Sequence, residues 1–319
     1  MKVLITGSHG FVGTNLIEAL SGEHEILRWD VRSDEKLPEC DAVIHLAGKA
    51  HDTRSFDRLR NLQQKEYFEV NTELTKKIYD AFLKSKASKF IFFSSIKAQD
   101  NDTPYARSKK AAEDYILSHT DITESTDSKT NTNCTNDTNG ISRHARDDNA
   151  STGSATKRIY ILRPCMIHGK GVKGNLPLLF KFVKKGLPWP LAAFDNQRSY
   201  ASMGNVSYIV NELLKKNVKS GTYNVCDDET VSTNELIELM SKEIGRKTKM
   251  IKIPMGIVRM GAKIGDLIHL SLNTERLGKL TESNVIDNSE IKKALSISYM
   301  PVKAMDGLKF TINGMISND

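Results

Sequence analysis

The sequence predicts an α/β fold, a doubly wound parallel sheet joined to a smaller mixed α/β C-terminal lobe. Three observations carry this expectation. The first 118 residues alternate short apolar runs with amphipathic stretches, the pattern of βαβ units with helices on both faces of a sheet. The pattern stops at residues 120–156, where 24 of 37 residues are Ser, Thr, Asn or Asp and only six are apolar. It then resumes with fewer strands and more irregular connections, as expected of a second, smaller unit.

The elements follow in order. "KVLIT" reads as the first strand, and "VGTNLIEALSG" as a helix closed by Gly22. "HEILRWD", "DAVIHLAG" and "KFIFFSS" read as three more strands. Between the last two, Tyr67, Val70, Leu74, Ile78 and Phe82 recur at three and four within residues 66–85, predicting one helix. "PYARSKKAAEDY" is a further helix. Residues 120–156 cannot bury enough surface to offset their ordering entropy and are expected to be a disordered insertion. "RIYILRP" is then a strand, "NLPLLFKFVKKG" and "NVSYIVNELLKKN" are helices, and "GTYNVCD" and "KMIKIP" are strands. "STNELIELMSKEIG" opens with a capping box, Ser232 with Glu235 three residues on. The expected units are residues 1–168 and 169–319, with some elements of the second returning to the first.

Composition narrows the function. A net charge of +7 admits an anionic partner, but no block of five Lys/Arg appears. A phosphorylated small molecule therefore fits at least as well as nucleic acid, and no nucleic-acid partner is expected. Cysteines stand alone at 40, 134, 165 and 226, which indicates neither a zinc site nor a disulfide framework, and no metal is expected. The apolar N-terminal run is too short for a signal peptide, and no run approaches the length of a membrane span. The expectation is a cytoplasmic protein without a membrane partner.

"LITGSHGFVG" places Gly7, Gly10 and Gly13 directly after the first strand and at the mouth of the first helix. Glycines there allow a tight turn and let backbone approach a pyrophosphate, which rests on the helix N-terminus. His9, Phe11 and Val12 complete the turn as candidate cofactor contacts. Asp30 ends the second strand, 17 residues after Gly13. A carboxylate there accepts from ribose hydroxyls and repels a 2′-phosphate, which favours NAD. Arg28 and Arg32 flank it and leave NADP open.

In "PYARSKK", Tyr105 and Lys109 stand four apart and so share a helical face. An ammonium beside a phenol favours the phenolate and makes a better proton shuttle near neutral pH.

These stretches together resemble the extended short-chain dehydrogenases of the NAD-dependent epimerase/dehydratase family. "TGSHGFVG" resembles its glycine loop, and "DAVIHLAG" is similar to its strand ending beside the cofactor, which implicates Leu46, Ala47 and Gly48. "FIFFSSIKA" followed by "PYARSKKAAE" resembles its serine and Y-x-x-x-K elements. "ILRPCMIHGKGVKGNL", "QRSYAS" and "YNVCDDETVSTNEL" are similar to its substrate-lobe segments. The resemblance implies a Rossmann fold and roles for named residues. Ser95 would hydrogen-bond the substrate oxygen, with Ser94 as the alternative. Tyr105 would be the acid/base, and Lys109 would hold the nicotinamide ribose and depress the phenol. Asn175, Arg198 and Tyr200 would contact a nucleotide diphosphate.

Within the family the chain is most similar to UDP-glucose 4-epimerase-like nucleotide-sugar enzymes, which implies epimerisation at C4 of a UDP-hexose or UDP-N-acetylhexosamine. Reduction of a nucleotide 4-keto sugar with NAD(P)H is the alternative, and a non-catalytic NAD(P) sensor the third reading. Dehydratases resemble one another in an acidic pair after the catalytic Ser or Thr; here Ile96 and Lys97 stand there, which disfavours dehydration. Ser95 and Tyr105 are ten residues apart, closer than is usual in the family. His168 stands where the family often has Tyr, and is expected to pack rather than react. Homodimers are common among relatives, and a homodimer is compatible with the resemblance.

Overall fold

A computed structural model describes residues 1–30, 36–49, 60–100, 102–120, 157–267 and 274–317. In chain order these form β1 (Lys2–Thr6), α1 (Phe11–Leu20), β2 (Glu25–Trp29), β3 (Ala42–His45), α2 (Arg60–Phe68), α3 (Leu74–Lys84), β4 (Lys89–Phe93), α4 (Pro104–Ser118) and β5 (Arg158–Pro164). There follow β6 (Met166–His168), α5 (Asn175–Lys184), β7 (Arg198–Ser202), α6 (Met203–Lys215), β8 (Gly221–Val225), β9 (Thr230–Val231) and α7 (Thr233–Ile244). Last come α8 (Met255–Leu267), α9 (Thr274–Thr281), α10 (Ser289–Leu295) and α11 (Ala304–Ser317).

Six parallel strands form the main sheet in the order β2-β1-β3-β4-β5-β8. Its central strands are apolar on both faces, as a sheet covered on both sides requires. Alternation divides them cleanly. Val3, Ile5, Ile44, Ile91 and Leu162 face Leu16 and Leu20 of α1 and Val206, Ile209 and Leu213 of α6. Leu4, Val43, Phe90, Phe92 and Ile161 face Ile78, Tyr79 and Phe82 of α3 and Ala112 and Ile116 of α4. Each such side chain contributes about 1.5–3 kcal/mol on burial. This is the doubly wound Rossmann architecture the sequence predicts.

The second half of the chain contributes to both sheets. β8 pairs with β5, and α6 packs on α1. β6 instead pairs in parallel with β7, which runs antiparallel to β9, and α5, α7 and α11 supply the core around this small mixed sheet. Apolar periodicity reports which elements exist and not which sheet they join; β8 and α6 lie with the first unit and β6 with the small sheet.

Local differences have physical causes. The helix expected over 66–85 is interrupted by a π-helical turn, Glu69–Glu73, which buries Asn71. "KMIKIP" makes two isolated bridges, Met250 to Trp189 and Lys252 to Leu191, rather than a strand. The capping box forms as read: Glu235 N donates to Ser232 Oγ at 3.0 Å, and Ser232 N donates to the Glu235 carboxylate at 2.7 Å. The insertion at 121–156 and Arg32 lie outside the described residues.

Candidate active site

The connection after β1 leads to β2 and that after β3 leads the other way to β4, so the adjacent strands β1 and β3 open a crevice at their C-terminal ends. The glycine turn lies there. Gly7 has φ +70°, and a Cβ on it would stand 2.7 Å from the amide nitrogen of Ala47. A Cβ on Gly13 would stand 2.4 Å from the carbonyl oxygen of Gly7, whose oxygen also accepts from the Gly10 amide at 3.0 Å. Side chains are therefore excluded by geometry, and bare backbone faces the crevice. α1 begins beyond Gly10 with no side-chain cap and no acid in its first turn. Its first amides are open to an anion. These features fit a dinucleotide pyrophosphate.

The other residues expected to meet the cofactor lie at the start of α1 or at the ends of β2 and β3. His9 and Gly10 are exposed, and Phe11 and Val12 are half-buried. Leu46 and Ala47 are half-buried and Gly48 is exposed. Asp30 is exposed at the end of β2, and Arg28 is exposed on that strand. Thr6 ties the turn to β3: its Oγ1 accepts from the amides of Leu46 (3.2 Å) and Ala47 (3.1 Å) and meets His45 Nδ1 at 2.7 Å. His45 Nε2 meets Thr75 Oγ1 at 2.9 Å, and that hydroxyl donates to the Asn71 carbonyl at 2.7 Å. The Thr6 hydroxyl thus donates to Nδ1 and Nε2 carries the proton. Burial pushes the imidazole down to about 3, aided by the Lys109 charge, so His45 is a neutral strut.

Ser95 follows β4 and caps a short 3₁₀ turn, Ile96–Gln99, accepting from Lys97 N at 3.3 Å. Thr103 caps α4, accepting from Ala106 N at 3.1 Å, and Pro104 opens the helix with a preset φ. Tyr105 therefore sits in the first turn, and its phenol hydrogen-bonds the Ser95 hydroxyl. Lys109, one turn on, is buried; its Nζ donates to the Phe93 carbonyl at 2.9 Å and lies 5.0 Å above the Phe92 ring. A Cβ on Gly48 would come 3.3 Å from the same Nζ, so the ammonium borders the β3 end of the crevice. The structure thus brings Ser95, Tyr105 and Lys109 together. Ser94 is also buried, and its Oγ has no partner among the described residues.

The electrostatics differ from expectation. Burial raises the Tyr105 phenol, the Ser95 hydrogen bond opposes that rise, and Tyr67 adds to it. Lys109 is not among the groups that shift it; its Nζ donates a hydrogen bond to the Phe93 carbonyl instead. Burial brings Lys109 itself down to about 8, opposed by the carboxylate of Glu113.

Three supports were not foreseen. Asn71 accepts from Lys49 N at 2.8 Å and donates to Ser108 Oγ at 3.0 Å and to the Lys49 carbonyl, bracing the end of β3 against α4. Its signal is a lone amide inside an apolar helical stripe. Tyr67 meets Tyr105 edge-on at 5.9 Å, and Lys49, paired with Glu66, lies over Tyr67. Glu113 is fully buried and held by Arg163. Its signal is the second four-residue step, Lys109 to Glu113, on the buried face of α4.

In the lobe, Asn175 is half-buried at the start of α5, after Gly174 at φ +92°. Arg198 opens β7 and is half-buried. Tyr200, two residues further along β7, is 2% exposed and packs in the lobe core; burial pushes it up to about 12, opposed by the Arg198 charge. His168 is buried, with Nδ1 2.9 Å from Thr311 Oγ1 and Nε2 3.5 Å from Asp227, in a packing role. Among the described residues no group of three or more side chains could hold a metal ion, and no helix is long and apolar enough to cross a membrane.

The chain is 25% identical over 343 aligned residues to UDP-glucose 4-epimerase of Vibrio cholerae, covering 99% of this chain and 95% of that one. Over 125 residues it is 34% identical to UDP-2-acetamido-2,6-beta-L-arabino-hexul-4-ose reductase of Pseudomonas aeruginosa, covering 36% and 31%. Its fold superposes on UDP-glucuronic acid 4-epimerase of Bacillus cereus, solved with NAD, with a TM-score of 0.67 at 16% identity and 99% of both chains covered. The profile described as "NAD dependent epimerase/dehydratase family" matches residues 3–226, so the chain belongs to that family of NAD-dependent enzymes.

Proposed function

We propose that the chain is an NAD-dependent nucleotide-sugar epimerase acting at C4 of a UDP-hexose or UDP-N-acetylhexosamine. The observation that carries this reading is the hydrogen-bonded Ser95–Tyr105 pair with Lys109 one turn behind, set beside a backbone cradle at the sheet's switch point. Gly7, Gly10 and Gly13 would take the pyrophosphate and Asp30 the adenosine ribose, favouring NAD. The dinucleotide, when bound, supplies reversible hydride acceptance at C4.

The chain's own residues supply the proton chemistry. Ser95 holds the C4 oxygen by a hydrogen bond. Tyr105 removes the hydroxyl proton and returns it to the opposite epimer. Burial alone keeps the phenol protonated, the donating form. The removing form needs a cation close by; Lys109, one turn along α4, would have to supply it, since in this structure its charge does not lower the phenol. Asn175 and Arg198 would hold the nucleotide diphosphate, for which a guanidinium fork is suited. Ile96, 8% exposed on the 3₁₀ turn, can transfer no proton, which disfavours dehydration.

A second reading, reduction of a nucleotide 4-keto sugar, draws support from the local likeness to the reductase. One experiment separates the two. The purified protein is denatured, released NAD(H) is quantified, and the native protein is incubated with UDP-glucose and UDP-N-acetylglucosamine. Stoichiometric NAD(H) with interconversion of C4 epimers is expected. An empty site that consumes NAD(P)H with a UDP-4-keto sugar supports the reductase, and neither activity overturns both.

A further inference from the structure

α8 is anchored to the lobe through Val258 and Ala262, 8% and 0% exposed and one turn apart. Met255, Ile257 and Met260 are 47%, 57% and 60% exposed. A single exposed apolar side chain is ordinary. Ile257 and Met260, three apart, share one face of α8 and form a small patch, with Met255 off that face. Cations border it. Arg259 and Lys263, four apart on α8, are both exposed. The segment leading into α8 runs beside Trp189, with Trp189 N donating to the Lys249 carbonyl and Ile251 N to the Trp189 carbonyl, both at 2.8 Å. It exposes Lys249 and Lys252. The basic surface continues through Arg246, whose Nη1 donates to the Lys184 carbonyl at 2.9 Å. α8 contains one carboxylate, Asp266, at its far end, accepting from Thr274 N and Oγ1.

We propose that α8 is an interfacial helix that seats this protein on an anionic bilayer surface. A helix lying in the headgroup plane needs an apolar strip flanked by Lys and Arg and no 18-residue apolar run, so the absence of a spanning helix among the described residues does not bear on it. Exposed methionines suit disordered acyl chains, because unbranched thioethers adapt to irregular surroundings. Two other occupants fit less well. A second copy joined by a two-fold axis would bring the same cations face to face. Nucleic acid would match the charge but offer nothing to cover Ile257 and Met260.

The test uses the full chain with sedimented vesicles of equal parts phosphatidylcholine and phosphatidylglycerol, and vesicles of phosphatidylcholine alone. Binding to the anionic vesicles, and its loss at high salt, are expected. The double variant Ile257→Asp/Met260→Asp is expected to bind at least about tenfold more weakly, and Lys249→Glu/Lys252→Glu to lose the preference for anionic lipid. Both are surface changes and should keep the parent circular dichroism spectrum and the parent turnover in lipid-free solution. No binding to anionic vesicles, or equal binding by Ile257→Asp/Met260→Asp, would overturn the proposal. So would a lipid-free dimer that this variant dissociates, or retention by duplex nucleic acid alone. Turnover is read separately, so failure here leaves the catalytic reading untouched.

Discussion

Arg163 holds Glu113 through both carboxylate oxygens, Nε to Oε1 at 3.0 Å and Nη2 to Oε2 at 2.5 Å, with the Glu113 side chain wholly out of solvent. The pair fastens α4, which carries Tyr105 and Lys109, to β5 in the middle of the sheet. Removing one member of a buried pair leaves the other charge uncompensated, at about 3–5 kcal/mol. Glu113→Gln is therefore expected to lower stability in urea unfolding by about that much, and a loss under about 1 kcal/mol would contradict the role.

His45 makes stability depend on pH. Its folded value, about 3, lies below its ordinary 6.5. Between those values the unfolded chain takes up a proton that the folded chain refuses, so stability falls as pH falls through this window and is unaffected by this group above it. The slope from this one residue approaches about 1.4 kcal/mol per pH unit. Unfolding curves of His45→Gln should flatten by that amount over the same window. A variant as acid-sensitive as the parent would show that the buried imidazole is not the cause.

The glycine cradle has a sharp steric test. A methyl at position 13 collides with the Gly7 carbonyl oxygen at 2.4 Å, so α1 must shift away from the turn. Gly13→Ala is expected to weaken NADH binding by at least about 100-fold and to cost about 1–3 kcal/mol in stability. Fluorescence titration with NADH measures the first, and an unchanged dissociation constant would rule out pyrophosphate contact at this turn.

The sheet was legible because burial imposes periodicity: Val3, Leu4 and Ile5 are all buried, and their strand reads as a continuous apolar run. Gly7, Gly10, Gly13, Tyr105 and Lys109 were legible because local spacing brings each subset to one turn or one helix face, and Ser95 only through the family resemblance. The rest depends on contacts that no local pattern carries. Arg163 and Glu113 are 50 residues apart and meet only once β5 is placed beside β4. Asn71 stands on the buried helical stripe, but the stripe does not show that its amide braces the Lys49 backbone and Ser108. Tyr200 resembles a ligand contact by motif, and the motif does not show that it is buried in the lobe core. The raised phenol of Tyr105 was not legible either, since spacing shows that a lysine is near but not how deeply the phenol is buried.

Replacing Tyr105 by Phe removes one oxygen and keeps the ring that packs against Tyr67. Paired measurement of NADH affinity and of UDP-sugar turnover by this variant bears most directly on the catalytic claim. Affinity within about twofold of the parent, with turnover lower by about 10²–10⁴, is expected of a lost acid/base. Parent-level turnover by Tyr105→Phe would contradict it.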